Sequence, residues 1–185
     1  MTPPERRREL LATARDSIGR RLRGEPLPEI PERPHAEESS HGVFVTIRSN
    51  GELRGCIGTL AAEEGIRSAV SEFAVQAGFE DPRFPPLTAE EWNEIRIEIS
   101  ILSPPRLIEE AQFETGRHGL ILEIGARRGL LLPQVAEEWS FTREQFLGAL
   151  SRKAGLPEDG WKLPGAKLYA FEAEVFGEHE ANRGE

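Results

Sequence analysis

The chain has 185 residues, 38% hydrophobic and 30% charged, the composition of a globular protein rather than a disordered one. Its formal charge of −9 argues against wrapping a phosphate backbone, and its single cysteine excludes an intrachain disulfide and a cysteine-rich zinc cluster. A chain of this size buries about 70% of its extended surface, enough for one domain or two small lobes sharing a core.

Residues 1–34 carry eight Arg against six Asp or Glu, a solvated helix face rather than a nucleic-acid footprint. No signal-peptide-like apolar stretch follows Arg6, Arg7 and Arg8, and no apolar run approaches the ~18 residues of a membrane span. The cytoplasm is the expected compartment.

In chain order, Thr2-Pro3-Pro4-Glu5 reads as a capping box with proline at the first helical position. Leu10, Leu11, Ala14, Ile18 and Leu22 then recur at helical spacing, which predicts a helix over 4–23 stopped by Gly24. The proline-rich stretch from Gly24 to Ser40 either connects elements or covers a cleft. Val43–Ile47 is a predicted strand, Asn50-Gly51 a hairpin turn, and Glu52–Ile57 the returning strand. Ile66, Val70, Phe73, Ala74 and Ala77 mark a helix ending near Gly78. Beyond the breaker run Asp81-Pro82-Arg83-Phe84-Pro85-Pro86, Thr88 and Glu91 form a second capping box, with Leu87 and Trp92 at its hydrophobic-staple positions. Ile95, Ile97, Ile99 and Ile101 alternate with polar residues as a strand with one buried face.

The second half repeats this plan. His41-Gly42-Val43-Phe44-Val45-Thr46-Ile47 matches His118-Gly119-Leu120-Ile121-Leu122-Glu123-Ile124 at an offset of 77, and the same offset carries Gln76-Ala77-Gly78-Phe79 onto Lys153-Ala154-Gly155-Leu156. Without gaps it also places Leu53 on Leu130. The predicted fold is α+β: two internally duplicated β-β-α-β units, residues 41–102 and 118–176, sharing one antiparallel or mixed sheet with helices packed on it. The chain 1–185 is read as a single domain of this kind.

Cys56 is the first candidate for chemistry. In a regular strand Glu52, Arg54 and Cys56 project from one face, and a guanidinium beside a thiol favours the nucleophilic thiolate. Gly55 and Gly58 would leave the backbone uncovered for close approach of a substrate. The alternative is a cysteine buried as a small hydrophobe. His118, between Gly116 and Gly119, can act as acid, base or ligand, or can hold a loop through one hydrogen bond. His41, in a polar run, reads as solvated, and His35 and His179 show no ligand spacing. Asp81, Arg83 and Phe84 lie on a proline-stiffened turn that either lines a pocket or forms a corner with Phe84 in the core. No metal-ligand cluster is spaced for binding, and the P-loop, dinucleotide, CxxC and HExxH motifs are absent.

Taken together, Leu53-Arg54-Gly55-Cys56-Ile57-Gly58-Thr59, Phe79-Glu80-Asp81-Pro82-Arg83-Phe84-Pro85-Pro86-Leu87-Thr88, Ile99-Ser100-Ile101-Leu102, Gly116-Arg117-His118-Gly119-Leu120, Gly129-Leu130-Leu131-Leu132-Pro133-Gln134-Val135-Ala136 and Lys153-Ala154-Gly155-Leu156-Pro157 resemble, in this order, the AMMECR family. Its prokaryotic members are also called AmmeMemoRadiSam system protein A. The resemblance implies an internally duplicated α+β fold, a cleft beside the Arg-Gly-Cys strand, and as partners a Memo-type protein and a radical S-adenosylmethionine protein. It implies no settled reaction, and it leaves the cofactor unknown. Two functions follow from it. The first is an enzyme, or a component of an enzyme complex, working through Cys56 with Arg54 and His118. The second is a non-catalytic adaptor docking those partners through Leu53-Arg54-Gly55-Cys56 and Asp81-Pro82-Arg83-Phe84, with Gly55, Gly58, Asp81, Arg83 and Phe84 as binding residues.

Overall fold

The computed structural model describes residues 1–30 and 41–178. Most of the proline-rich connector with His35, and the terminal residues with His179, lie outside the described residues. The chain divides into two compact units, one of Met1–Leu102 with the segment from Glu174 on, the other of Ser103–Ala173.

In the first unit α1 spans Pro4–Arg23 and ends at Gly24 in the left-handed conformation, φ 71°. Leu10, Leu11, Ala14 and Ile18 are its buried stripe, as the spacing requires. The predicted capping box is absent. Pro3 occupies the N-cap without a side-chain hydrogen bond, and Thr2 instead donates its peptide N–H and its hydroxyl to Glu174, each at 2.8 Å. β1 (Gly42–Ser49) and β2 (Glu52–Thr59) form the hairpin, turning through Asn50 (φ 52°) and Gly51 (φ 85°), both left-handed as a tight hairpin turn demands. After α2 (Ile66–Phe79), residues Glu91–Asn93 form one 3₁₀ turn rather than the helix implied by the second capping box. β3 (Ile95–Leu102) then pairs with β1 antiparallel. Val43, Val45 and Ile47 lie opposite Ile101, Ile99 and Ile97, and all are buried with the apolar sides of α1 and α2. Each fully buried side chain of this size contributes roughly 1.5–3 kcal/mol.

The second unit contains β4 (Arg106–Ile108), β5 (His118–Ile124), β6 (Arg127–Leu131), α3 (Gln134–Glu138), α4 (Arg143–Lys153) and most of β7 (Lys167–Gly177). β7 pairs with both β4 and β5, and β5 with β6, antiparallel throughout. Every pairing with a stated register is therefore antiparallel, which removes the mixed-sheet option for those ladders. Phe146, Leu147, Leu150, Leu120, Leu122 and Ala170 centre a hydrophobic cluster distinct from that of the first unit.

Both halves run two strands, a helix and a strand, with α3 additional in the second, and the offset of 77 carries the start of α2 (Ile66) onto the start of α4 (Arg143). It fails through the hairpins. Val43 pairs with Thr59, sixteen positions on, whereas Leu120 pairs with Leu131, eleven positions on. Phe44 faces Gly58 and Ile121 faces Leu130, so Leu130 occupies the place of Gly58 and not of Leu53. The five residues missing from the second hairpin reappear after it as α3.

Candidate functional site

The first hairpin is irregular at one point that decides the site. Ile47 pairs with Gly55 but Arg48 pairs with Leu53, so Arg54 is an extra residue, a β-bulge. A bulge breaks the alternation of faces, and Arg54 leaves the company of Cys56. Its guanidinium turns to the 3₁₀ turn, with Nε 2.7 Å from Glu91 Oε1 and Nη2 3.1 Å from Glu91 Oε2. The side chain is only 13% exposed, and Nη1 is buried with no hydrogen-bond partner among the described residues. Glu91 also accepts the Thr88 N–H at 2.9 Å, the surviving half of the expected capping box. The Arg54 interaction holds the Glu91 carboxyl below its ordinary value, against the opposing effect of burial.

Cys56 lies opposite Thr46, whose hydroxyl donates to Sγ at 3.3 Å. The backbone of Cys56 points outward from the hairpin and is clamped. Its N–H donates to Asp81 Oδ2 at 2.9 Å, and its carbonyl accepts from Arg83 Nη2 at 3.2 Å. Asp81 and Arg83 are themselves joined fork to fork, Nε to Oδ1 at 2.9 Å and Nη2 to Oδ2 at 2.7 Å, and the Arg83 N–H adds a third bond to Oδ1 at 3.1 Å. Hydrogen bonding to Arg83, reinforced by the Cys56 and Arg83 amides, holds the Asp81 carboxyl far below the usual carboxylate range despite its burial. Asp81 is 2% exposed at its side chain and Arg83 53%, so the pair reaches from the interior to the surface. Phe84 is half-buried beneath the Arg83 guanidinium, 5.4 Å from ring centroid to Cζ, and is not the core plug of the corner reading. Leu87 takes that role, buried and in the space beside Gly78.

Burial pushes the Cys56 thiol above its ordinary pKa, and the Thr46 hydrogen bond and the Arg83 and Arg48 charges offset this only in part. The expected lowering by Arg54 is absent, because the bulge sends that guanidinium to Glu91. Gly55 and Gly58 do not open the backbone either. A β-carbon on Gly55 would lie 2.0 Å from the Ala77 carbonyl of α2, and one on Gly58 would lie 2.2 Å from the Val43 carbonyl. Both are packing glycines, where the missing side chain allows close contact of helix, strand and neighbour.

His118 belongs to the second unit and is held by contacts of its own. Its Nδ1 accepts the Glu114 N–H at 3.1 Å, and its own N–H returns to the Glu114 carbonyl at 3.0 Å. The proton of the neutral ring therefore sits on Nε2, which is buried without a hydrogen bond among the described residues and lies 3.9 Å from Glu172 Oε1. This is the loop-holding alternative in geometric form. The structure thus brings Cys56, Asp81, Arg83 and Phe84 together in the first unit, sends Arg54 to Glu91, and fixes His118 to the 114–118 turn. Thr46 and Glu172 are partners no sequence signal names, and Glu91 is named only as a capping residue, not as the partner of Arg54. Glu91 was findable as the last residue of Thr-x-x-Glu, Thr46 only with the bulge known, and Glu172 carried no local signal.

Among the described residues no group of three or more His, Cys, Asp or Glu side chains is gathered for a metal ion, and no helix is long and apolar enough to cross a membrane. The AMMECR1 family model matches residues 11–176. A protein of Methanothermobacter thermautotrophicus is 41% identical over 179 residues, covering 92% of this chain and 93% of its own. One of Methanocaldococcus jannaschii is 44% identical over 161 residues, covering 82% and 80%. The crystal structure of a Pyrococcus horikoshii protein superposes with a TM-score of 0.82 at 38% identity, covering 91% of this chain and 89% of its own.

Proposed function

This chain belongs to the AMMECR1 family, and we propose that it works as a binding component of a protein assembly, docking through the clamped edge at Cys56, Asp81, Arg83 and Phe84. The observation that carries this reading is the Asp81 carboxylate. Buried and held ionised, it fixes the outer edge of β2 and presents a half-exposed guanidinium over an aromatic ring. Such an edge is pre-organised, so binding costs little ordering of side chains. An exposed Arg on an aromatic face is also a frequent source of binding energy at interfaces. Memo-type and radical S-adenosylmethionine proteins are the partners this reading assigns, as in an AmmeMemoRadiSam system, and the cytoplasm its compartment.

Titration calorimetry with those two proteins tests it. Arg83→Glu should abolish binding while Cys56→Ser leaves it within about twofold, since sulfur and hydroxyl differ little in a polar contact. Binding that survives Arg83→Glu but fails in Cys56→Ser would overturn the docking reading. It would favour the second one, an enzyme or enzyme-complex component acting through Cys56. That alternative draws on the half-buried sulfur near Arg83 and Arg48, but it needs a thiolate that burial disfavours. The shared β-β-α-β order also supports descent of both halves from one duplicated unit, each with its own task since.

A further inference from the structure

Arg83 stands on a turn that is tied within and beyond itself. Phe84 N–H donates to the Asp81 carbonyl at 3.1 Å, closing Asp81-Pro82-Arg83-Phe84 with aspartate first and proline second, the places both residues favour in a turn. The Asp81 carboxylate holds the Arg83 N–H inside it. Past the turn, the Pro86 carbonyl accepts from Arg54 Nη2 at 3.4 Å, and Leu87 N–H donates to the Gly78 carbonyl at 2.8 Å. Pro82 and Arg83 are exposed while Asp81 is buried. The segment therefore displays one guanidinium to solvent, backed by the Phe84 ring, in a fixed position.

The clamp leaves part of that guanidinium unused. Nε and Nη2 face the two Asp81 oxygens, and Nη2 also reaches the Cys56 carbonyl. Nη1 has no hydrogen-bond partner among the described residues. The side chain is half-exposed, so the two N–H groups of Nη1 remain for a molecule outside the chain. The charges favour an anion there. Ionised Asp81 is buried and Arg83 exposed, so the pair is a dipole with its positive end outward. A carboxylate oxygen on Nη1 makes a charge-assisted bond, about twice as strong as one from a neutral carbonyl. The formal charge of −9 disfavours a phosphate polymer as the source of that anion, whereas a single carboxylate on a protein surface need meet only this turn. We propose, resting on the docking role assigned to this edge, that Arg83 Nη1 takes an Asp or Glu carboxylate of the partner protein.

Titration calorimetry with the Memo-type and radical S-adenosylmethionine proteins is the test, each surface Asp or Glu of the binding protein being changed in turn to Asn or Gln. One such change should weaken binding to the wild-type chain about tenfold, the low end for a close interfacial charge pair. Arg83→Lys should weaken binding of the unaltered partner by about the same factor, since an ammonium held by Asp81 has no second side of a planar fork to offer. That substitution leaves the formal charge at −9, so diffuse attraction predicts no change. Combined, the two changes should weaken binding little more than either alone, because both remove one contact. Effects that multiply to about a hundredfold at every acidic position would overturn the proposal. Binding that is lost in Arg83→Glu, while every acidic residue of the partner can be neutralised within about twofold, would overturn it and leave the docking role standing. If neither protein binds the wild-type chain, both fall.

Discussion

The two hairpins start from matching strands and finish differently. The first is long enough for a bulge at Arg54, and its outer edge at Cys56 is closed by the Asp81–Arg83 pair. The second closes five residues sooner, and its surplus chain forms α3 and the Trp139 turn. A glycine meets a helix end in both, at different register places. Gly55 meets Ala77 of α2, and Gly129, in the register place of Ile57, meets Ala154, the C-cap of α4 and the residue 77 positions beyond Ala77. Glycine-to-helix contacts occur in both halves, whereas the Asp81–Arg83 clamp and the Trp139 turn sit where the hairpins diverge. The comparison teaches that packing constrains the glycines and helices, while the chain left over after packing is free to diverge.

The largest expected effect tests the common part. Gly55→Ala should destabilise by about 3 kcal/mol in urea unfolding, because its β-carbon meets an immovable backbone carbonyl. Gly129→Ala should cost about 2 kcal/mol, since its nearest clash, at 2.6 Å, is less severe than the 2.0 Å at Gly55. A reversed order would show that the closeness of the clash does not set the cost.

The next tests the divergent part. The offset that relates the halves carries Asp81 onto Glu158, which pairs with Arg152 at 2.7 Å in full view of solvent. Asp81→Asn should cost about 2 kcal/mol at neutral pH, through weakened bonds at a buried, charged acceptor. Glu158→Gln should cost at most about 0.5 kcal/mol. The pH dependence has a definite sign. The folded Asp81 pKa is lowered, so its contribution is complete above the unfolded value of about 4 and fades as pH falls toward the folded value. Acid unfolding curves of wild type and Asp81→Asn should therefore converge below about pH 4. Parallel curves would refute the clamp.

A smaller effect sharpens the contrast from the other side. Ser140→Gly should stabilise by about 0.5–1 kcal/mol, the relief of a left-handed β-carbon less the entropy of the added glycine. A rise in melting temperature would show the strain of Ser140 at φ 50°, and no change would refute it. Least in size is the titration of Cys56. Its iodoacetamide labelling at pH 8 should be slower than that of a free thiol, whose pKa is about 8.5. Arg83→Ala should slow it further and Arg54→Ala should leave it unchanged. A shift with Arg54→Ala would restore the sequence expectation of a guanidinium beside the sulfur.

Much of the architecture was legible in the residues alone. Periodicity placed α1, α2, β1 and β3, Asn50-Gly51 placed the first turn, and the offset of 77 exposed the common order of the halves. These are local signals, written in side-chain spacing and in the few residues that tolerate positive φ. The neighbours of Cys56 were not. Its partner Thr46 depends on one inserted residue in the pairing register, its clamp on a turn twenty-five positions away, and its protonation on burial that no spacing reveals. Strand register and desolvation are properties of chain segments brought together, so only the tertiary structure could set Arg54 against Glu91 and Arg83 against Cys56.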